Sequence, residues 1–174
     1  RKNDVKNGGQ GAPLVPVYHA ALFGTVVKPV AVLNIGGIAN VTWIGEEGYP
    51  LLSFDTGPGN ALLDDWIRFH EVGEFDEGGQ RAAAGSVDSV ALTSLLRDDY
   101  FSANPPKSLD RNYFGMDIVR DLALEDGAAT LAAFTVRSIG LAAKYFPVSP
   151  KRWIVCGGGR KNQYFLDYLT REVP

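Results

Sequence analysis

The sequence predicts an α/β domain, a mixed sheet with helices packed against it. Three observations carry this. Two apolar, β-rich runs, Val30–Ile35 and Ile38–Ile44, flank a Gly-Gly pair, and a third run follows at 51–54. Helical spacing of apolar residues then takes over and is longest across 127–146. A buried-type run at 153–156 and a last helical pattern at 162–170 complete the order βββα, helices, β, α.

Residues 1–16 are polar, then rich in glycine and proline, and read as a loop feeding an extended segment. The apolar stretch 17–23 is too short to assign. Gly36 and Gly37 read as a hairpin turn between the first two strands. The third strand, 51–54, runs into Gly57, Pro58 and Gly59. Pro58 suits a first helical position, because its missing amide hydrogen is not needed there. A helix is expected from it to residue 69 or 70, with Ala61, Leu62, Leu63, Trp66 and Ile67 on its apolar face. Residues 75–85 have a helical centre at most. The stretch 87–96 reads as a short helix burying Val90, Ala91 and Leu95, 105–111 as a loop, and 113–122 as another short helix. The long pattern buries Leu131, Phe134, Ile139, Ala142, Ala143 and Phe146, and Pro147 stops it.

With 174 residues, 45% hydrophobic and 21% charged, the chain has the makings of one domain with a real core. A net charge of −3 without a basic block gives a nucleic-acid or anionic-membrane partner no electrostatic support. The single cysteine, Cys156, excludes an internal disulfide framework and fits a reducing compartment. One cysteine and two separated histidines give no readable zinc site. Neither GxxxxGK[ST] nor GxGxxG occurs. The lack of an initiator Met and the stop just after a helical pattern lead us to expect a piece of a longer protein.

The stretch most able to carry chemistry is LLSFDTGPGN, residues 51–60. Asp55 is expected between a strand's C-terminal end and a helix N-terminus, where α/β proteins place ligands. A carboxylate there can take a proton from a hydroxyl or water. The alternative is that Asp55 or Thr56 caps the helix. Gly36 and Gly37 offer turn amides to phosphate oxygens, or form an ordinary turn. Asn34 and Asn40 flank them as turn formers or ligand donors. Gly157, Gly158 and Gly159 either admit a ligand against the backbone or pack too tightly for a Cβ. Asp64 and Asp65 read as a solvated helix face or helix-start charge, with approach to a cation as the alternative, and Lys107 and Arg111 as surface charges or contacts to an anionic substrate.

Together, GGQGAPLVP (8–16), NIGGIANVT (34–42), FDTGPGN (54–60), PPKSLDRNYF (105–114) and VCGGGRKN (155–162) resemble, in this order, the anhydro-N-acetylmuramic acid kinases. Leu109 and Asp110 depart from the Thr-Gly expected in the fourth stretch. The resemblance implies the actin-like, sugar-kinase and Hsp70 superfamily, with two RNase H-like lobes and a cleft between them. Residues 1–29 would arrive from a preceding lobe, and 30–174 would form the second RNase H-like lobe, truncated at its C-terminus. The first lobe's Ser-Gly-Thr-Ser type phosphate loop has no counterpart here, so the piece is expected to be inactive alone. The implied reaction consumes ATP with Mg2+ and 1,6-anhydro-N-acetylmuramic acid, and yields N-acetylmuramic acid 6-phosphate with opening of the anhydro ring, in cytoplasmic cell-wall recycling. By similarity Asp55 is the general base that activates water. Gly36, Gly37, Gly157, Gly158, Gly159 and Asn162 would meet the nucleotide and its phosphates. Gln10, Asn34, Thr56, Gly57, Asn60 and Lys107 are the candidate sugar contacts, and no residue is expected to be a dedicated metal ligand. A homodimer is expected at full length. The alternatives are a non-catalytic nucleotide-binding module of the same superfamily and a kinase of another sugar.

Overall fold

A computed structural model describes residues 16–23 and 25–173. Among these described residues four strands form one sheet in the order β3-β2-β1-β4. They are β1 (Val30–Ile35), β2 (Ile38–Ile44), β3 (Leu52–Pro58) and β4 (Arg152–Cys156). The β1–β2 and β2–β3 pairs are antiparallel, and β4 joins β1 in parallel. Among the described residues six α-helices surround them: α1 (Pro16–Leu22), α2 (Asn60–Phe69), α3 (Gln80–Ala84), α4 (Ser89–Leu96), α5 (Leu124–Ala142) and α6 (Gln163–Glu172).

The alternation of strand side chains sorts the core onto two faces. Leu33, Ile35 and Ala39 point into a large cluster with α2, α4, α5 and α6, centred on Trp66, Leu131, Phe134 and Phe165. Ala31, Val41, Trp43 and Phe54 extend that face against Ala142 and Phe146. Val30, Val32 and Ile44 face the other way, toward Ala20, Phe23 and Val26. Helix α5 is buried along most of its length. Its small residues allow this: a Cβ at Gly127 would stand 2.5 Å from Trp66 Cε2. The same indole donates from Nε1 to the Leu124 carbonyl at 2.8 Å.

The sheet, the hairpin pairing and the long helix match the sequence expectations; four local expectations do not. The third strand runs on through Pro58, so Asp55 lies inside β3 and the helix begins at Asn60. Pairing with β2 outweighs the local Gly and Pro signals, and β3 is an outer strand of the sheet, where proline is tolerated. Residues 113–122 hold only a single 3-10 turn, Asp117–Val119. Val90 is 78% exposed, because α4 turns Ala91, Leu92 and Leu95 inward instead. The long helix ends at Ala142, and Ala143–Tyr145 continues as a 3-10 turn. The stretch left unassigned at 17–23 falls largely in α1.

Candidate functional site

The ladder places Cys156 opposite Asn34, Asn34 opposite Asn40, and Asn40 opposite Asp55. Directly opposed residues share a face. These four therefore form a polar row across the sheet, on the face away from the large core cluster. Next to it the β2–β3 register shifts at Ala39/Asn40, a bulge that leaves Thr56 without an opposite residue. Bulges re-aim side chains, and this one turns both Phe54 and Gly57 toward the α5 side. A Cβ at Gly57 would lie 2.7 Å from Ser138 Cβ. The Thr56 hydroxyl closes the bulge by donating to the Ala39 carbonyl at 3.2 Å.

Asp55 is 7% exposed. Its Oδ2 accepts from the Leu109 amide at 2.8 Å. Burial raises its pKa, and the Leu109 hydrogen bond opposes that shift. Its backbone is tied as well: the amide donates to the Lys107 carbonyl at 3.1 Å, and the carbonyl accepts from Tyr100 Oη at 2.6 Å. Asp55 does not cap α2, whose N-cap, Gly59, makes no side-chain cap bond.

The first amides of α2 go elsewhere. Gly59 and Ala61 donate to the Gly37 carbonyl at 3.0 and 3.2 Å, and Asn60 donates to the Gly36 carbonyl at 2.7 Å. The helix start is therefore docked on the hairpin and does not present these amides to an anion. The hairpin glycines themselves are informative. Neither has a positive φ. A Cβ on Gly37 would meet only Ala61 Cβ at 3.6 Å, and one on Gly36 would have 3.4 and 3.5 Å contacts. The fold does not force glycine at either position, which leaves space for a ligand against the turn.

The second glycine cluster divides. Gly157 has φ +80, and a Cβ there would strike Asn34 Oδ1 and the Ile35 carbonyl at 2.5 Å. A Cβ on Gly159 would lie 2.6 Å from Ile35 Cβ. Internal packing explains both. Gly158 is open apart from Asn60 Nδ2 at 3.3 Å, and its backbone lines a cavity. That cavity, about 250 Å3, is walled by Asn60, Asp64, Phe75, Asp76, Lys161 and Asn162 among others. Asn60 joins the two halves of the site, donating from Nδ2 to the Ile35 carbonyl at 3.1 Å. Asn162 caps α6 by accepting from the Phe165 amide at 3.1 Å. Burial pushes Asp64 up to about 6, against the pull of Arg68. Both Asp76 oxygens are occupied, by the amides of Arg81 and Ala82 at 2.8 and 3.0 Å.

The structure thus brings Asn34, Gly36, Gly37, Asp55, Asn60, Gly157, Gly158, Gly159 and Asn162 to one end of the sheet. Thr56 and Gly57 turn into the fold, and Lys107 is 8% exposed beneath the Asp55 backbone. Gln10 lies outside the described residues. Sequence reasoning missed Tyr100, the Leu109 amide, and the cavity wall from Phe75 to Gly78. The Gly78-Gly79 pair was the available signal, and both adopt positive φ, 64° and 80°. Among the described residues, no cluster of three or more His, Cys, Asp or Glu could hold a metal ion. No described helix is long and apolar enough to cross a membrane.

Three antiparallel strands, a fourth joined in parallel, and helices packed against them form the RNase H-like lobe that the sequence led us to expect. A solved structure with this fold, the activator of the 2-hydroxyisocaproyl-CoA dehydratase from Clostridium difficile with bound ADPNP, superposes with a TM-score of 0.55 at 18% identity, over 88% of this chain and 55% of that one. The chain belongs to the anhydro-N-acetylmuramic acid kinase family, whose model matches residues 1–174. Relatives bearing that name include proteins from Rhodospirillum rubrum, 53% identical over 99% of this chain and 46% of the relative, and Paramagnetospirillum magneticum, 52% identical over 99% and 49%. A third, from Zymomonas mobilis, is 48% identical over 97% and 46%. The chain spans about half the length of these curated relatives.

Proposed function

We propose that this lobe, within the longer protein, serves an ATP-dependent kinase that converts 1,6-anhydro-N-acetylmuramic acid to N-acetylmuramic acid 6-phosphate. Family membership supplies the substrate class. The observation that carries the chemistry is Asp55: a buried carboxylate on a polar row beside a hairpin whose glycines the fold itself does not require. Asp55 takes a proton from water as the water oxygen bonds to C1 of the sugar. The C1–O6 bond breaks, and O6 takes the phosphoryl group of ATP, releasing ADP. Ring opening itself frees O6, so a single base is enough.

Gly36 and Gly37 receive the phosphates, and the cavity beside Gly158 and Asn162 receives the nucleoside. Asn34, next to the hairpin, contacts sugar or phosphate. Thr56, Gly57 and Asn60 hold the walls through their internal contacts, and Gln10 remains a sugar contact by resemblance. Mg2+ accompanies ATP, and among the described residues no cluster of three or more His, Cys, Asp or Glu could hold it. That suits an ion held mainly by phosphates and water. Use of ATP assigns the protein to the cytoplasm, and we take the full-length protein to be a homodimer, testable by analytical ultracentrifugation. The deciding experiment is Asp55→Asn in the full-length protein. Turnover should fall about 10²- to 10⁴-fold with nucleotide affinity and fold retained. Near-normal turnover in a folded variant would end the general-base assignment.

A further inference from the structure

Lys107 is a buried lysine whose surroundings say little about a substrate and much about Asp55. Its Nζ donates to the Tyr100 carbonyl at 2.8 Å. It stands 4.5 Å from the centre of the Tyr100 ring, 4.9 Å from that of Tyr145 and 5.9 Å from that of Phe54. A desolvated ammonium over aromatic faces gains cation–π energy that partly offsets its burial. The cage is tied shut around it. Tyr145 Oη donates to the Phe101 and Ala103 carbonyls at 3.0 and 2.8 Å, and Lys144 Nζ donates to the Phe101 carbonyl at 2.8 Å.

Both ends of this arrangement reach Asp55. The Tyr100 hydroxyl binds the Asp55 carbonyl, the Lys107 carbonyl binds the Asp55 amide, and two residues on the Leu109 amide binds the Asp55 carboxylate. We propose that Lys107 is a positioning residue: its caged ammonium pins loop 107–109 along β3, so that the Leu109 N–H fixes the Asp55 carboxylate in orientation and charge state. This rests on the general-base reading of Asp55. It gives Lys107 a task other than contact with an anionic sugar or phosphate.

The titratable groups around the cage are Tyr100, Tyr145 and Lys144, and Asp55 lies beyond Tyr100. Burial, reinforced by the Lys144 ammonium, pulls Lys107 down to about 8. The cage therefore holds a cation below that pH and a neutral amine, without the cation–π attraction, above it.

The test uses the full-length protein with Lys107→Met, Lys107→Arg, Tyr100→Phe and Asp55→Asn. For Lys107→Met, kcat should fall about ten- to a hundredfold, the scale of a catalytic group displaced by about 1 Å. KM for ATP and sugar should stay within about threefold, since neither ligand is touched. Loss of the Leu109 bond should raise the Asp55 pKa. The acid limb of kcat/KM then moves to higher pH, and the Asp55 carboxyl titration followed by 13C NMR moves with it. Lys107→Arg should recover part of kcat, and Tyr100→Phe should shift the NMR titration in the same direction. A rise in KM with unchanged kcat would mark Lys107 as a substrate contact and overturn the proposal. If Lys107→Met fails to fold, Lys107→Gln takes its place, and an unmoved Asp55 titration in that variant overturns the proposal. Asp55→Asn separates the two claims. If that variant turns over normally, the base reading fails. If it is inactive while Lys107→Met leaves the Asp55 titration in place, the positioning claim alone fails.

Discussion

Two alanine substitutions at neighbouring glycines should have opposite effects. At Gly59 an added Cβ would overlap the Gly36 carbonyl oxygen and lie 3.0 Å from the Ile38 carbonyl carbon and 3.1 Å from the Ala39 nitrogen. All three are backbone atoms, so no rotamer change relieves the clash. The hairpin must retreat on the order of 1 Å to restore van der Waals contact. That breaks or weakens the three bonds from Gly59, Asn60 and Ala61 to the hairpin carbonyls, at 3.0, 2.7 and 3.2 Å. At about 1 kcal/mol net per bond, Gly59→Ala should lose about 3 kcal/mol. At Gly37 the added Cβ meets only Ala61 Cβ at 3.6 Å. Gly37→Ala should leave stability unchanged or raise it by about 0.5 kcal/mol through the unfolded chain. Its methyl group, however, would occupy the approach to the turn. Nucleotide affinity should drop about tenfold, a cost of about 1.4 kcal/mol. Denaturant unfolding and calorimetric titration with ATP–Mg2+, both on the full-length protein, read the two effects. A Gly59→Ala variant as stable as the parent would refute the docking argument. Unchanged nucleotide affinity in Gly37→Ala would refute phosphate contact at the hairpin.

Asp64→Asn should make the protein more stable at neutral pH. The folded carboxyl has its pKa raised to about 6 by burial, so its stabilising contribution is complete below the unfolded value near 4 and is lost as pH rises through 6. After discounting for partial exposure, the gain at pH 7 should be on the order of 1 kcal/mol, vanishing at pH 4, by thermal unfolding at the two pH values. Phe134→Ala, in the centre of the core, should cost about 3–5 kcal/mol by denaturant unfolding. Gly127→Ala should cost about 1–3 kcal/mol, because Trp66 is held from the other side by its bond to Leu124 and cannot withdraw freely.

The parts of the fold written in short-range pattern were legible. Apolar, β-rich runs at Val30–Ile35 and Ile38–Ile44 marked two strands, and apolar spacing marked α2 and α5. Where long-range contacts decide, the pattern misled. Pro58 and its glycines read as a strand end, yet pairing with Ile38 and Ala39 extends β3 past Asp55. Val90 fits a helical stripe as well as Leu92 does, and only the position of α5 chooses between them. For the site, Asp55 and the glycines were visible as residue types in sequence order. What surrounds Asp55 was not, because Tyr100 and the Leu109 amide reach it from 45 and 54 residues away. The two explanations offered for the Gly157 cluster also needed coordinates: a close approach that forces glycine and an open one that accommodates a ligand read identically as GGG.

Loop 107–109 lies along the outer side of β3 as a short extra strand would, taking up the Asp55 amide that otherwise faces outward. An open strand edge is a template for another chain, and a lysine or a covering loop is a common way to blunt it. Here one segment supplies the covering backbone while its lysine points inward as the fastening. Loosening that fastening would do more than disturb a carboxylate. It would uncover a pairing edge beside Phe54, and the first visible symptom of a poorly anchored loop should be self-association at high protein concentration.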